Sequence, residues 1–371
     1  MVIEFKHDLK WTSSNYLIVQ VCQWVIGLDD VALGQGLFTQ VLFTRTGICP
    51  LHEKCKNPFF CKGKKSIMKK QGLLITLLLG FCILPAYASP DFMVDSDWLS
   101  EHKSDKNLVI LEIRYYPHRY YTVGHIPGAV QVQRFKDLGD NFANPLMRFP
   151  SREAFQKTLR NWGINDDSIL VLYDDSNTAL LSRLYYLLEL YGFNMKQVKV
   201  LEGGVVDWSA FEEMSKEAVT PKPGNVTLKQ ANRAMFVEWT AVYDDVVSRR
   251  DPNVVLLDAR PHDMYTGAVI KDAIRGGHIP GAINVVSLEG TSAQRWKSDE
   301  KLREVYAPVD LSKTIYAYCH DGFRMSLAYM HLKHLGAKDV RLYNGGWSHW
   351  GNRLTLPTVE GEKPYAGDYE L

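Results

Sequence analysis

The sequence predicts an α/β fold made of two tandem domains, each a central, mostly parallel β-sheet flanked by helices. Two observations predict it. Four landmarks recur in the same order: GHIPGA at Gly124–Ala129 and Gly277–Ala282, LEIR (Leu111–Arg114) echoed by LDAR (Leu257–Arg260), LVLYDDSNTALLSRLYYLLELYGF by IYAYCHDGFRMSLAYMHLKHLGA, and LEGGVVDW (Leu201–Trp208) by YNGGWSHW (Tyr343–Trp350). Ordered duplication of this kind means two copies of one domain. Within each copy, short apolar runs alternate with helical periodicity, the pattern of a buried parallel sheet.

In chain order, the β-prone runs of the first copy are Leu108–Ile113, Ile169–Tyr173 and Val198–Leu201; those of the second are Val254–Leu257, Thr314–Tyr318 and Val340–Tyr343. Between the last two runs of each copy lies a helical pattern, Leu180–Tyr191 and Ser326–Leu335, with apolar residues at three- and four-residue steps. The stretch Ala218–Thr227 holds two prolines and a glycine and reads as a linker. The expected organisation is a first copy over 91–217, a linker over 218–233, a second copy over 234–356 and a tail over 357–371.

At 371 residues the chain has room for two domains with cores of their own. It is 46% hydrophobic and 23% charged, a globular balance, with a formal net charge of +1. Near-neutrality gives no reason to expect nucleic acid or an acidic membrane surface as partner. Met68-Lys69-Lys70 opens a basic stretch, an apolar run follows from Gly72 to Leu84, and Ala86-Tyr87-Ala88 precedes Ser89. That is the grammar of a secretory signal peptide over 68–88. The apolar run is short for a membrane span, and Phe81 is a poor lipidation context for Cys82. The expected product is periplasmic or secreted, free of the membrane after cleavage, with residues 1–67 a non-native upstream extension. Cys22, Cys49, Cys55 and Cys61 fall in that extension, and their spacing matches no familiar zinc site.

Cys319 is then the lone cysteine of residues 89–371. An unpaired thiol in an exported protein is linked to another chain or chemically used. Cys319-His320-Asp321-Gly322-Phe323-Arg324 spans a strand-to-helix connection, where parallel sheets bind ligands. Gly322 is free to take a positive φ, so successive N–H groups can curl around the sulfur as an anion nest. The helix N-terminus and Arg324 add positive charge. A free cysteine has a pKa near ~8.5; lowering it by ~2 units, worth roughly 2.7 kcal/mol, makes thiolate dominant at neutral pH. The loop is therefore expected to lower the Cys319 pKa and to hold an anionic adduct such as a persulfide.

GHIPGA, the LDAR strand end, the CHDGFR loop and the NGGW turn together resemble the rhodanese (sulfurtransferase) family in its tandem form, over nearly all of Asp91–Trp350. The resemblance implies a sulfurtransferase in which Cys319 takes a sulfane sulfur from a donor and passes it to a thiol or cyanide-type acceptor, or to a protein acceptor, with ping-pong kinetics. It implies that main-chain N–H groups from His320 to Arg324 hold the sulfur and that Asp258 and Arg260 brace the active loop. The first copy is implied to be inactive, with Asp174 in the place of Cys319, and Asp174 and Asp175 read as a solvated or structural remnant loop. His320 and Asp321 match neither the basic pair usual in thiosulfate users nor the small residues of mercaptopyruvate users. Met264 stands where thiosulfate users carry a second arginine. Thiosulfate is thus the default donor, and Arg275 is a candidate donor clamp.

Two rivals use the same cysteine: a non-catalytic sulfur-relay or binding protein, and a phosphatase or arsenate reductase. The latter need one residue more than the four between Cys319 and Arg324. No cofactor is implied and no metal cluster lies in residues 89–371. His125 and His278 read as turn residues bonding backbone, Trp208, Trp347 and Trp350 as core or interface packing, and His320 as a group able to titrate near neutral pH.

Overall fold

The computed structural model describes residues 9–12, 16–23, 37–44, 47–50, 90–145 and 147–365. The chain divides into two units, Met1–Phe81 and Cys82–Leu371. In the first, β1 (Leu9–Thr12), β2 (Tyr16–Gln23), β3 (Leu37–Thr44) and β4 (Gly47–Pro50) form an antiparallel sheet in chain order. These strands lie within the stretch read as an upstream extension, whereas the signal-peptide segment 68–88 lies outside the described residues. Among the described residues, no helix is long and apolar enough to cross a membrane.

The second unit contains two five-stranded sheets, all parallel. In the first copy β5 (Met93–Val94), β6 (Leu108–Ile113), β7 (Val130–Val132), β8 (Ile169–Asp174) and β9 (Val198–Leu201) lie in the order β5-β9-β8-β6-β7. The second copy has β10 (Phe236–Val237), β11 (Val254–Asp258) and β12 (Ala282–Asn284), a hairpin of β13 (Thr291–Ser292) and β14 (Arg295–Trp296), then β15 (Thr314–Tyr318) and β16 (Asp339–Tyr343). Its sheet order, β10-β16-β15-β11-β12, repeats the first. Even the register is shared: Leu111 pairs with Leu172 and Val130, and Leu257 with Ala317 and Ile283. The two-domain α/β fold is as predicted, with each of the six strand runs ending within one residue of its expected limits. Four edge strands of two or three residues, β5, β7, β10 and β12, are too short to leave a periodic signal.

Strands covered on both faces explain the near-continuous apolar runs. Leu170 and Leu172 face a core shared by both copies, while Val171 and Tyr173 face the outer core of the first, around Trp208. Ala317 faces the shared core too; Tyr316 and Tyr318 face the outer core of the second, around Trp347 and Trp350. The three tryptophans thus fill outer cores and take no part in the domain interface. That interface is made largely by the helices Ala179–Leu190 and Phe323–His334, which are buried around most of their circumference. Tyr186 meets Tyr329 edge-on at 4.9 Å, and Ser182 Oγ donates to the Phe323 carbonyl at 3.2 Å. Residues 216–232 form no helix or strand, but they are strapped to the first copy. Gly224, Val226, Lys229 and Asn232 donate N–H groups to Arg160, Ile164, Tyr191 and Leu190 carbonyls, with Val226 and Leu228 buried.

Candidate active site

β15 delivers Cys319 to the carboxyl edge of its sheet, where the chain turns into the Phe323–His334 helix. Gly322 caps that helix at φ +107°, which folds the loop back so that its N–H donates to Cys319 Sγ at 3.1 Å. The Met325 N–H bonds the sulfur too, one residue past the expected span. The NGGW turn closes the loop from the other side. Trp347 N–H donates to the Cys319 carbonyl at 2.8 Å and Ser348 N–H to the His320 carbonyl at 3.1 Å. Approach this close requires glycine, since a Cβ on Gly346 (φ +58°) would lie 2.6 Å from the His320 oxygen. Cys319 is fully buried beneath the loop, and the crevice over the loop is lined by Met147 of the first copy with Asp321, Gly322, Met325 and Asn344 of the second.

The first copy shows what such a loop holds. The Asp174 carboxylate accepts four main-chain N–H groups, from Ser176 at 3.1 Å, Thr178 at 3.0 Å, Leu180 at 2.7 Å and Leu181 at 3.0 Å. It is an anion cradle filled by the chain's own carboxylate. Of the two readings of Asp174, solvated or structural, the structural one fits: it is 2% exposed, and burial raises its pKa to about 6 against the pull of those amides.

The expectation that the loop lowers the thiol pKa is overturned. Burial is the largest influence and pushes the Cys319 thiol up, and the Asp321 carboxylate adds to it. Arg324 and the amides of Met325 and Gly322 pull the other way without prevailing. Burial likewise holds His320 below the usual histidine range, against the pull of Asp321. Its Nδ1 is buried without a hydrogen-bond partner among the described residues.

Arg260 clasps Asp258 with Nε at 3.0 Å and Nη2 at 2.6 Å, and Nη2 also donates to the Gly277 carbonyl at 2.6 Å. Burial opposes its charge, but the Asp258 carboxylate outweighs that and holds Arg260 above the ordinary arginine range. The pair braces GHIPGA directly and reaches the cysteine loop through Trp347, whose ring centre lies 4.4 Å from the guanidinium. Glu112 and Arg114 repeat the arrangement, with Arg114 donating to the Gly124 carbonyl at 2.6 Å. His125 stacks on Tyr120 and His278 on Tyr265, and each bonds main-chain carbonyls that tie down the end of its own domain.

Two residues sit elsewhere than the sequence suggested, Arg275 and Phe323, whereas Arg324 stays within electrostatic reach of the sulfur. Arg275 is no clamp: its guanidinium is spent on the carbonyls of Trp350, Gly351, Arg353 and Leu356. Phe323 turns its ring into the domain interface, edge-on to Phe135 at 6.1 Å. Arg324 adjoins Met264, with Nη1 3.8 Å from its sulfur. Met147 and Arg183, both from the first copy, also reach the cysteine loop. Neither carries a motif, and Arg183 lies in a helix that reads as core. Among the described residues no group of His, Cys, Asp or Glu is arranged to hold a metal ion.

The family model for the rhodanese-like domain matches residues 95–211 and 244–353. The chain is 30% identical to the sulfur carrier protein TtuD of Thermus thermophilus, over 75% of this chain and 99% of that one. It is 32% identical to the putative thiosulfate sulfurtransferase SseA of Mycobacterium bovis, over 76% and 95%. Identity to the 3-mercaptopyruvate sulfurtransferase of Escherichia coli is 29%, over 72% and 98%. The crystal structure of SseA from Escherichia coli superposes with a TM-score of 0.61 at 29% identity, covering 69% of this chain and 99% of that one. The chain belongs to the rhodanese family, as a tandem two-domain sulfurtransferase.

Proposed function

We propose that the protein moves a sulfane sulfur from thiosulfate to a thiophilic acceptor through a persulfide on Cys319. One observation carries this reading. Cys319 Sγ receives the Gly322 N–H in a loop whose sister copy cradles a carboxylate with four amides. In the first half-reaction the Cys319 sulfur loses its proton and attacks the outer sulfur of thiosulfate. The S–S bond of the donor breaks, and sulfite departs with the electron pair. In the second, cyanide or a thiolate attacks the outer sulfur of the persulfide and the thiolate of Cys319 is released. The amides of Gly322 and Met325 hold the anionic sulfur at each stage, with Arg324 as added positive charge. His320, Asp321 and Phe323 complete the loop, and Asp258 and Arg260 support it through GHIPGA and Trp347. The protein works in the periplasm or outside the cell, after removal of residues 68–88.

Steady-state thiocyanate formation from thiosulfate and cyanide tests this, with mercaptopyruvate and polysulfide as parallel donors. Parallel reciprocal plots and thiosulfate as the best donor are expected. A sulfur-relay role is the second reading, favoured by the similarity to a protein named as a sulfur carrier. Sulfur loading on Cys319 without turnover to cyanide marks that role.

A further inference from the structure

Arg183 belongs to the copy without a cysteine, yet its guanidinium lies against the loop of the copy that has one. A Cβ added to Gly322 would sit 2.7 Å from Arg183 Nη1 and 3.0 Å from its Cζ. The side chain is fully buried. Nε donates to the Leu138 carbonyl at 3.1 Å and Nη2 to the Met147 carbonyl at 2.8 Å, while Nη1 is left without a hydrogen-bond partner among the described residues. No carboxylate pairs with it in a salt bridge among the described residues, although a buried arginine lacking one is costly to keep. The titratable groups that face it are Tyr186, Cys319, Asp321 and Tyr191. The matching stretch of the second copy, Leu327-Ala328, carries no charge, so the fold itself does not require an arginine there.

We propose that Arg183 is a positioning residue that stabilises negative charge on Cys319 and on its persulfide from across the domain interface. The domain that lacks a nucleophile thereby supplies the buried cation that the other domain's sulfur needs when it ionises. From its own loop the sulfur faces Asp321, which opposes ionisation, and Arg324, which favours it. Arg183 faces it from the other domain with an Nη1 that has no hydrogen-bond partner among the described residues, and its charge favours the sulfur once the proton has left. The persulfide part of this inference rests on the sulfurtransferase reading above; the thiolate part does not.

The test is the pH dependence of Cys319 alkylation by iodoacetamide, which needs no turnover, in the full chain. Arg183→Gln keeps a donor for the Leu138 and Met147 carbonyls and removes the charge; Arg183→Lys keeps the charge. The neutral variant is expected to alkylate about tenfold more slowly at neutral pH, its midpoint moved up by ~1 unit, with Lys restoring most of the rate. A midpoint unchanged in Arg183→Gln, with only the melting temperature lowered, overturns the proposal. Should that variant fold too poorly to titrate, the wild-type chain carries the test. The Arg183 Nε–H resonance in nitrogen-15 spectra must then move with the same midpoint as the thiol, and a resonance indifferent to thiol ionisation is equally fatal. A shifted midpoint in a protein that accepts no sulfur leaves Arg183's role standing and removes the sulfurtransferase reading instead.

Discussion

Asp174 and Cys319 hold the same position in the two copies, each at the carboxyl end of the central strand of its sheet and each bonded by main-chain N–H groups of the loop that follows. One loop geometry has become an internal carboxylate site in the first copy and a sulfur site in the second. The first copy is thus an internal control for the second.

Asp174→Ala removes the side-chain acceptor of four buried N–H groups. Chemical denaturation is expected to show a loss of about 2–4 kcal/mol. The raised pKa, about 6, also sets a sign. A carboxyl whose folded pKa exceeds its unfolded value adds stability below the unfolded pKa and loses it as pH rises through the folded one. The gap in stability between wild type and variant should therefore be larger at pH ~4 than at pH ~7.

Loading of sulfur on Cys319 should accelerate with pH and keep climbing past the point where a free cysteine levels off, because burial and Asp321 raise the thiol pKa. Asp321→Asn removes one of those causes. At neutral pH it is expected to alkylate roughly three- to tenfold faster than wild type, as measured by iodoacetamide trapping.

Gly346→Ala drives a Cβ to 2.6 Å from the His320 oxygen and 2.7 Å from the Cys319 oxygen. Gly361 also has positive φ but open space around it, so Gly361→Ala isolates the backbone cost, about 1–2 kcal/mol. Gly346→Ala should exceed that cost and slow sulfur loading at least about tenfold, because the displaced atoms belong to the cysteine loop. Urea melts of both variants, with loading rates, check the pair.

Arg275→Ala separates two readings of one residue. With four carbonyls on its guanidinium, the substitution should cost about 2–3 kcal/mol while leaving the donor KM unchanged. A large rise in KM at unchanged stability points back to donor binding.

The sheet strands were legible because both faces of each are buried, which writes hydrophobicity into consecutive residues such as Ile169–Tyr173. The helix after the cysteine starts at Phe323, three residues before its periodicity shows, because Gly322 permits an abrupt left-handed cap. Position and loop chemistry made Cys319 legible, but its pKa was not, since the balance depends on how deeply the fold buries the sulfur. Arg183 and Met147 were invisible for another reason. Their roles depend on how one domain packs against the other, and no local pattern encodes that.

The most direct measurement is the mass of the purified protein after exposure to thiosulfate. A gain of one sulfur atom is expected, mapped to Cys319, absent from Cys319→Ser and lost on adding cyanide. A wild-type protein whose mass stays unchanged with thiosulfate, mercaptopyruvate and polysulfide alike contradicts it.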